Sequence, residues 1–274
     1  MRGSALSSSW AAQDAASSRV LKQLILTADD FGRSAQINEA IERACEAGFL
    51  TQASLMVNEP AADEAARIAR RHPALCVGLH LTLSAGRASG VSVLTDAQGD
   101  FVASPARAGL RYAFRPSLAE LLREEIGAQF AKFRALGFAP SYWDGHTHLH
   151  LHPTILRHTL PIAAAAGFCG VRLVREPGRP ALLPKIFELL SAQATPALQR
   201  HGLHFTDRIF GLRETGRMRT ATIASILRNL PDGLSELYFH PGAEPEEIDY
   251  AALVPLFAQH GVTPRSLPPP PTAR

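Results

Sequence analysis

Short, apolar, β-prone runs alternate with segments of helical period through most of the chain, and this alternation restricts the fold more than any single motif. Residues 20–27 form an apolar run that delivers Asp29 and Asp30 at its end. Behind a capping Ser34, the residues Ile37, Ala40, Ile41, Ala44 and Cys45 then keep helical spacing. Residues 53–57 and 75–83 read as the second and third strands, with a helix over 61–71 between them. No period holds over 84–116, so a long loop is expected there. A capping box of Ser117 and Glu120 opens a helix that runs toward Gly137, and the spacing predicts a helix over 153–166 and a strand over 170–174. After a weaker stretch, with a helix at 184–193, a strand at 202–205 and a loop at 209–218, the alternation resumes. It continues as a helix over 220–229, a strand over 234–239 and a helix over 247–260. Repeated βα units imply a parallel sheet with right-handed crossovers. The expected fold is therefore α/β, a TIM-like (β/α) barrel, distorted or with about seven strands. An open doubly wound sheet is the alternative.

A chain of 274 residues with 46% hydrophobic and 19% charged residues can bury one large core, and residues 20–265 are expected to form a single domain. Residues 1–19 are rich in Ser and Ala and read as a flexible tail, as does the proline-rich end over 266–274. The formal charge is only +3 and the basic residues are scattered, so nucleic acid is not an expected partner. Cys45, Cys76 and Cys169 lie far apart and form no CxxC, which fits a reducing compartment and a cytoplasmic protein. No window is long and apolar enough to span a bilayer, so membrane contact would be peripheral, at its inner face. A homo-oligomer is compatible with all of this.

The residues that carry chemistry sit at the ends of the strands, where both barrels and open sheets build their sites. The densest stretch is Asp144 to His152, which holds His146, His148, His150 and His152 at every second position. Alternate residues of a strand share a face, so these four would point the same way while the strand lasts. Only those near its end could reach a common ion. Asp30, His80 and His146 offer one carboxylate and two imidazoles from three separate strands, the donor set of a catalytic divalent site. One divalent ion is expected. The donors suit zinc and also non-haem iron, and magnesium stays open.

An ion there would acidify water and polarise a carbonyl oxygen. Asp29 would take a proton, His240 would give one, and Asp144 would orient a ligand imidazole from behind. His148 would lie near the substrate, and Arg172 would either partner Asp29 or bind substrate. Each has a plainer reading. Adjacent aspartates alone are a common helix-capping turn; a lone His80 on an apolar strand is a common core histidine; His240 before Pro241 and Gly242 would serve as a turn residue; and Arg172 would make an ordinary ion pair.

Four segments together resemble the YdjC-like carbohydrate deacetylases: Thr27-Ala28-Asp29-Asp30-Phe31-Gly32, Gly78-Leu79-His80-Leu81-Thr82-Leu83, Asp144-Gly145-His146-Thr147-His148-Leu149-His150 and Phe239-His240-Pro241-Gly242. They run from the first strand to the last in the family's order. The chain departs from the family's common pattern at Gly145 and Thr147, where Ser and His are usual. The resemblance implies a TIM-like barrel, a divalent ion held by Asp30, His80 and His146, Asp29 as base, His240 as acid, and an N-acetylated amino sugar as substrate. Segments 172–177 and 211–218 are similar to those of hopanoid biosynthesis-associated members, which implies a lipid-linked N-acetylglucosamine rather than a soluble chitooligosaccharide.

Overall fold

The computed structural model describes residues 22–244 and 246–267; the tail expected over 1–19, and the one over 266–274 from 268 onward, lie outside them. In chain order the elements are β1 (Lys22–Phe31), α1 (Ala35–Glu46), β2 (Gln52–Leu55), α2 (Ala62–Arg71), β3 (Cys76–Leu81), α3 (Pro105–Phe114), α4 (Ala119–Ala135), β4 (Tyr142–Gly145) and α5 (Pro153–Ala165). They continue with β5 (Gly170–Val171), α6 (Leu182–Arg200), β6 (Arg208–Phe210), α7 (Thr220–Arg228), β7 (Gly233–Phe239), α8 (Tyr250–His260) and β8 (Val262–Pro264). The strands pair in the order β5-β4-β3-β2-β1-β7-β6, and β8 pairs with the start of β1. Every pairing is parallel. The seven-stranded path curls, and a single bridge from Gly170 to His204 together with the Ile209 N–H to Arg175 C=O bond draws its edges together. The fold is thus α/β, a curled half-barrel of the distorted TIM-like kind.

Strand parity sets what this barrel contains. On β1 the outward Leu24 and Leu26 pack with Phe49, Leu237 and Phe239 against the surrounding helices. The alternate residue Ile25 packs with Tyr142 and Leu267 at the bottom of the barrel. Above it the interior becomes polar. Thr27 donates to Glu236 at 2.9 Å, and Ser54 donates to Asp144 at 2.8 Å while lying 3.0 Å from the Tyr142 hydroxyl. This polar layer carries the site.

Local chemistry explains where the elements depart from expectation. Ser34 does cap α1, accepting from the Ile37 N–H. The box of Ser117 and Glu120 does not form, because residues 116–118 make a 3₁₀ turn and α4 begins after Leu118 with no side-chain cap. The loop expected over 84–116 contains α3, opened by Pro105 and capped by Ser104. The helix expected over 184–193 extends to 182–200, and the loop expected at 209–218 begins with β6. No helix among the described residues is long and apolar enough to cross a membrane.

Candidate active site

Asp29, His80, His146, His148 and His240 open onto one cavity of about 320 Å³, walled by Leu183, Phe187, Leu212 and Tyr238. These five come from β1, β3, the turn after β4, and the end of β7, so the sheet's curl converts distant sequence positions into one site. Asp30, Asp144 and Arg172 stand behind this wall, all at 3% exposure or less.

The two adjacent aspartates should face opposite sides of a regular strand. They do not, because β1 carries one extra residue relative to β2 between Ala28 and Phe31, and Asp30 adopts a left-handed φ of 65°. Aspartate tolerates that conformation better than most residues. The bulge returns Asp30 to the side of His80 and His146 while Asp29 keeps its inward parity. Asp29 meets Arg172 through a two-pronged pair at 2.7 and 2.8 Å.

Arg172 is a fully buried cation with three carboxylates around it. Beyond Asp29 it reaches Asp144 at 2.9 Å and Glu236 at 2.9 and 2.8 Å, and its guanidinium lies 4.7 Å from the centre of the Tyr238 ring. Burial works against its charge, but Asp144, Asp29 and Glu236 outweigh burial and hold it protonated. Arg172 thus contacts Asp29 from behind, and its side chain does not line the cavity.

His80 donates from Nδ1 to Asp144 at 2.6 Å, which fixes its ring and leaves Nε2 turned toward Asp30, 3.5 Å away. His146 Nδ1 lies 2.9 Å from the same Asp30 Oδ1. Despite these short distances, Asp30 Oδ1 is buried and meets no donor with hydrogen-bond geometry. Three donor atoms that converge within 4.8 Å of one another without satisfying one another suit a shared cation. Burial alone would raise the Asp30 carboxyl, but the His146 and His80 rings outweigh it and hold it well below the usual carboxylate range. Burial likewise opposes charge on His80, yet Asp144, Asp29 and Asp30 raise its pKa to about 10. Asp29, His80 and Asp144 form a second such group, but Arg172 already neutralises both of its carboxylates. Arg33 engages Asp30 Oδ2 at 2.7 Å and leaves Oδ1 free, so Asp30, His80 and His146 are the group at this cavity that could hold a metal ion, with Asp144 behind His80.

The four histidines do not share a face. β4 ends at Gly145, and Thr147 and His148 both take φ of 59°, so the chain turns at each step. His146 meets Asp30; His148 Nε2 lies 3.0 Å from the Tyr238 hydroxyl; His150 donates from Nε2 to the Arg172 carbonyl at 3.0 Å. Burial drives His148 well below its ordinary pKa and pulls His150 down to about 4, so both are neutral. His148 keeps a buried Nδ1 without a partner. His150 braces the Arg172 strand.

His240 follows β7, with Nδ1 3.7 Å from Glu244, which also accepts from the His240 and Met218 N–H groups. Burial opposes its charge, but Glu244, Asp29 and Asp30 raise its pKa above the ordinary value. Glu236, Tyr238 and Glu244 were not expected. Glu236 and Tyr238 were legible in principle: with His240 they recur at every second position, placing a carboxylate, a phenol and an imidazole on one strand face. Glu244 had no such signal.

Residues 23–262 match the family described as YdjC-like protein. A mouse protein described as a carbohydrate deacetylase is 36% identical over 248 residues, covering 80% of this chain and 78% of that protein. A human protein with the same description is 35% identical over 250 residues, covering 82% and 76%. Among solved structures, a putative cellobiose-phosphate cleavage protein from Enterococcus faecalis superposes with a TM-score of 0.64 at 19% identity, covering 88% of this chain and 96% of that one, a likeness of fold. The match over nearly the whole described chain, with relatives above a third identity, means that this chain belongs to the YdjC-like protein family.

Proposed function

We propose that the chain is a metal-dependent carbohydrate deacetylase that hydrolyses the acetamide of an N-acetylglucosamine unit. The observation that carries this reading is the convergence of Asp30, His80 and His146 at the wall of one cavity that Asp29 and His240 also line. Relatives described as carbohydrate deacetylases support it. Asp30, His80 and His146 would hold one divalent ion, zinc or magnesium, whose charge supplies acidity to a water and polarisation to the acetyl carbonyl.

The protein's own groups supply the proton movements. Asp29, fixed by both prongs of Arg172, accepts the proton of the attacking water at its carboxylate. His240 then gives a proton to the amide nitrogen as the C–N bond breaks, so acetate and a free amine leave. His148, neutral and with Nδ1 unpartnered, faces the cavity and is suited to bind a sugar hydroxyl or the acetamide N–H. Leu183, Phe187 and Leu212 give the acetyl methyl and the sugar's apolar face a dry wall.

For the substrate, the segments 172–177 and 211–218 favour an N-acetylglucosaminyl hopanoid over a soluble chitooligosaccharide, with the enzyme working at the inner face of the membrane. The test is mass analysis after incubation of the metal-loaded protein with both substrate classes. Loss of one acetyl group and a new primary amine on the lipid class is the expected result, abolished by His146→Ala. Undiminished acetate release after complete removal of divalent ions would overturn the metal-dependent reading, and reaction on chitooligosaccharides alone would overturn the lipid substrate.

A further inference from the structure

The cavity wall continues outward into an exposed apolar helix face. Leu183 and Phe187 of α6 line the cavity, and Leu183 is still 53% exposed. On the same helix Leu182, Ile186 and Leu189 stand four and three residues apart, which puts them on one stripe, and they are 80%, 43% and 60% exposed. These residues occupy the first two turns of α6, the end that follows β5 and so lies at the mouth of the site. Helix α3 repeats the arrangement. Its first residue, Pro105, lines the cavity, and Leu110 and Phe114 face solvent four residues apart.

Isolated surface leucines are ordinary, but exposed apolar side chains on two helices that each reach the rim of one cavity mark contact with an apolar partner. The charge beside it narrows the partner. Residues 104–115 contain Arg107, Arg111 and Arg115 and no carboxylate, and Arg107 and Arg115 are exposed. Arg179 is likewise exposed just ahead of α6. Lys185 is paired with Glu188, leaving the arginines as the cations that face outward. Apolar side chains that insert, ringed by guanidinium groups, complement an anionic bilayer surface. A second copy of the chain laid on this face would bring the same arginines against only Glu188, which Lys185 already pairs.

We propose that α6 and α3 dock the mouth of the site on an anionic lipid bilayer, so that the sugar of a membrane-held substrate enters the cavity from the membrane side. This rests on the lipid-linked reading of the substrate given above and names the surface that reading requires.

The experiment is co-sedimentation of the full chain with vesicles of phosphatidylcholine alone and of phosphatidylcholine mixed with phosphatidylglycerol. Binding to the anionic vesicles, weakened by salt, is expected. The triple substitution Leu182→Ser, Ile186→Ser and Leu189→Ser should weaken it by at least about tenfold through lost apolar burial. Arg107→Gln with Arg115→Gln should weaken it by about tenfold through lost charge. None of these residues lines the cavity, so release of acetate from a soluble N-acetylglucosamine oligosaccharide should be unchanged, and unchanged melting shows that both variants fold. Equal vesicle binding by wild type and both variants, or no preference for anionic lipid, overturns the proposal. So does a concentration-dependent dimer that the leucine variant abolishes, since a second copy would then cover the face. Because vesicle binding is read without catalysis, a chain that docks as expected but releases acetate from no N-acetylated sugar sinks the deacetylase reading and not the docking.

Discussion

Arg172→Met tests whether a single buried cation organises the site. The native guanidinium makes two bonds to Asp29, one contact to Asp144 and two to Glu236, all between 2.7 and 2.9 Å and all inside the barrel. Methionine fills much of the same volume, so the loss is chiefly electrostatic: three carboxylates converge with no cation among them. Removing one partner of a buried ion pair costs about 3–5 kcal/mol. Taking about 4 kcal/mol, and about 2–4 °C of melting temperature per kcal/mol for a domain of this size, the variant should melt about 8–16 °C below wild type at pH 7. The loss should depend on pH with a definite sign. In the wild type, burial pushes Asp144 up but Arg172 and His80 outweigh it and hold it well below the usual range, so its contribution is present above the ordinary carboxylate pKa and is lost only in acid. Without Arg172 the same carboxyl, like Glu236, which burial already raises, would bind protons more tightly folded than unfolded. Stability of the variant then falls as pH rises, and the gap to wild type widens from pH 5 to pH 8. Thermal unfolding followed by circular dichroism across that range is the assay. A variant that melts within about 2 °C of wild type at every pH would refute the cation-centred account.

Three further outcomes follow from the same geometry. Saturation with the cognate divalent ion at about a hundred times its Kd should stabilise the protein by about 2.7 kcal/mol, and His146→Ala should remove the shift in melting whether or not activity is measured. Burial opposes the charge on His240 and Glu244 offsets it, so Glu244→Gln should move the alkaline limb of the pH–rate profile to lower pH; an unmoved limb would assign the proton donor elsewhere. Gly211 has φ of 125° and an added Cβ would collide with the Tyr238 carbonyl oxygen, so Gly211→Ala should lower stability by about 2 kcal/mol or more, read by denaturant titration, and should free the Glu176 carboxylate that its N–H now engages.

Much of the fold was open to a reading of periodicity because a parallel barrel buries both faces of its strands. Residues 20–27, 75–83 and 234–239 are mostly apolar, β-prone runs, and helices such as 153–165 lie against the sheet with an apolar stripe. What stayed hidden were elements whose existence depends on partners far away. β6 is three residues long and is held by β7, so it has no pattern of its own; the strand expected over 170–174 is cut to the two residues of β5 that pair with β4. α3 is short and rich in arginine, and its capping Ser104 and leading Pro105 are the only local marks of its start.

The site divides in the same way, between what residue type announces and what backbone geometry decides. Asp29, Asp30, His80, His146 and His240 were visible as polar residues at strand ends, where a barrel builds its sites. Their grouping was not, because two-residue parity sends Asp29 and Asp30 to opposite faces and sends His146, His148 and His150 to one. The chain breaks both rules with left-handed residues: Asp30 once, Thr147 and His148 in succession. Such conformations cost non-glycine residues about 1–3 kcal/mol each, and they persist where surrounding bonds fix them. Here Phe31 resumes pairing with Leu55 just after Asp30, and Ser84 holds Thr147 through a hydroxyl contact of 2.7 Å. The bulge brings both aspartates to the inner side, one turned to Arg172 and the other to the paired imidazoles. The kink distributes the histidines, giving one to Asp30, one to Tyr238 and the cavity, and one to the Arg172 strand. Composition marks where the chemistry is, and three strained backbone positions assign the roles.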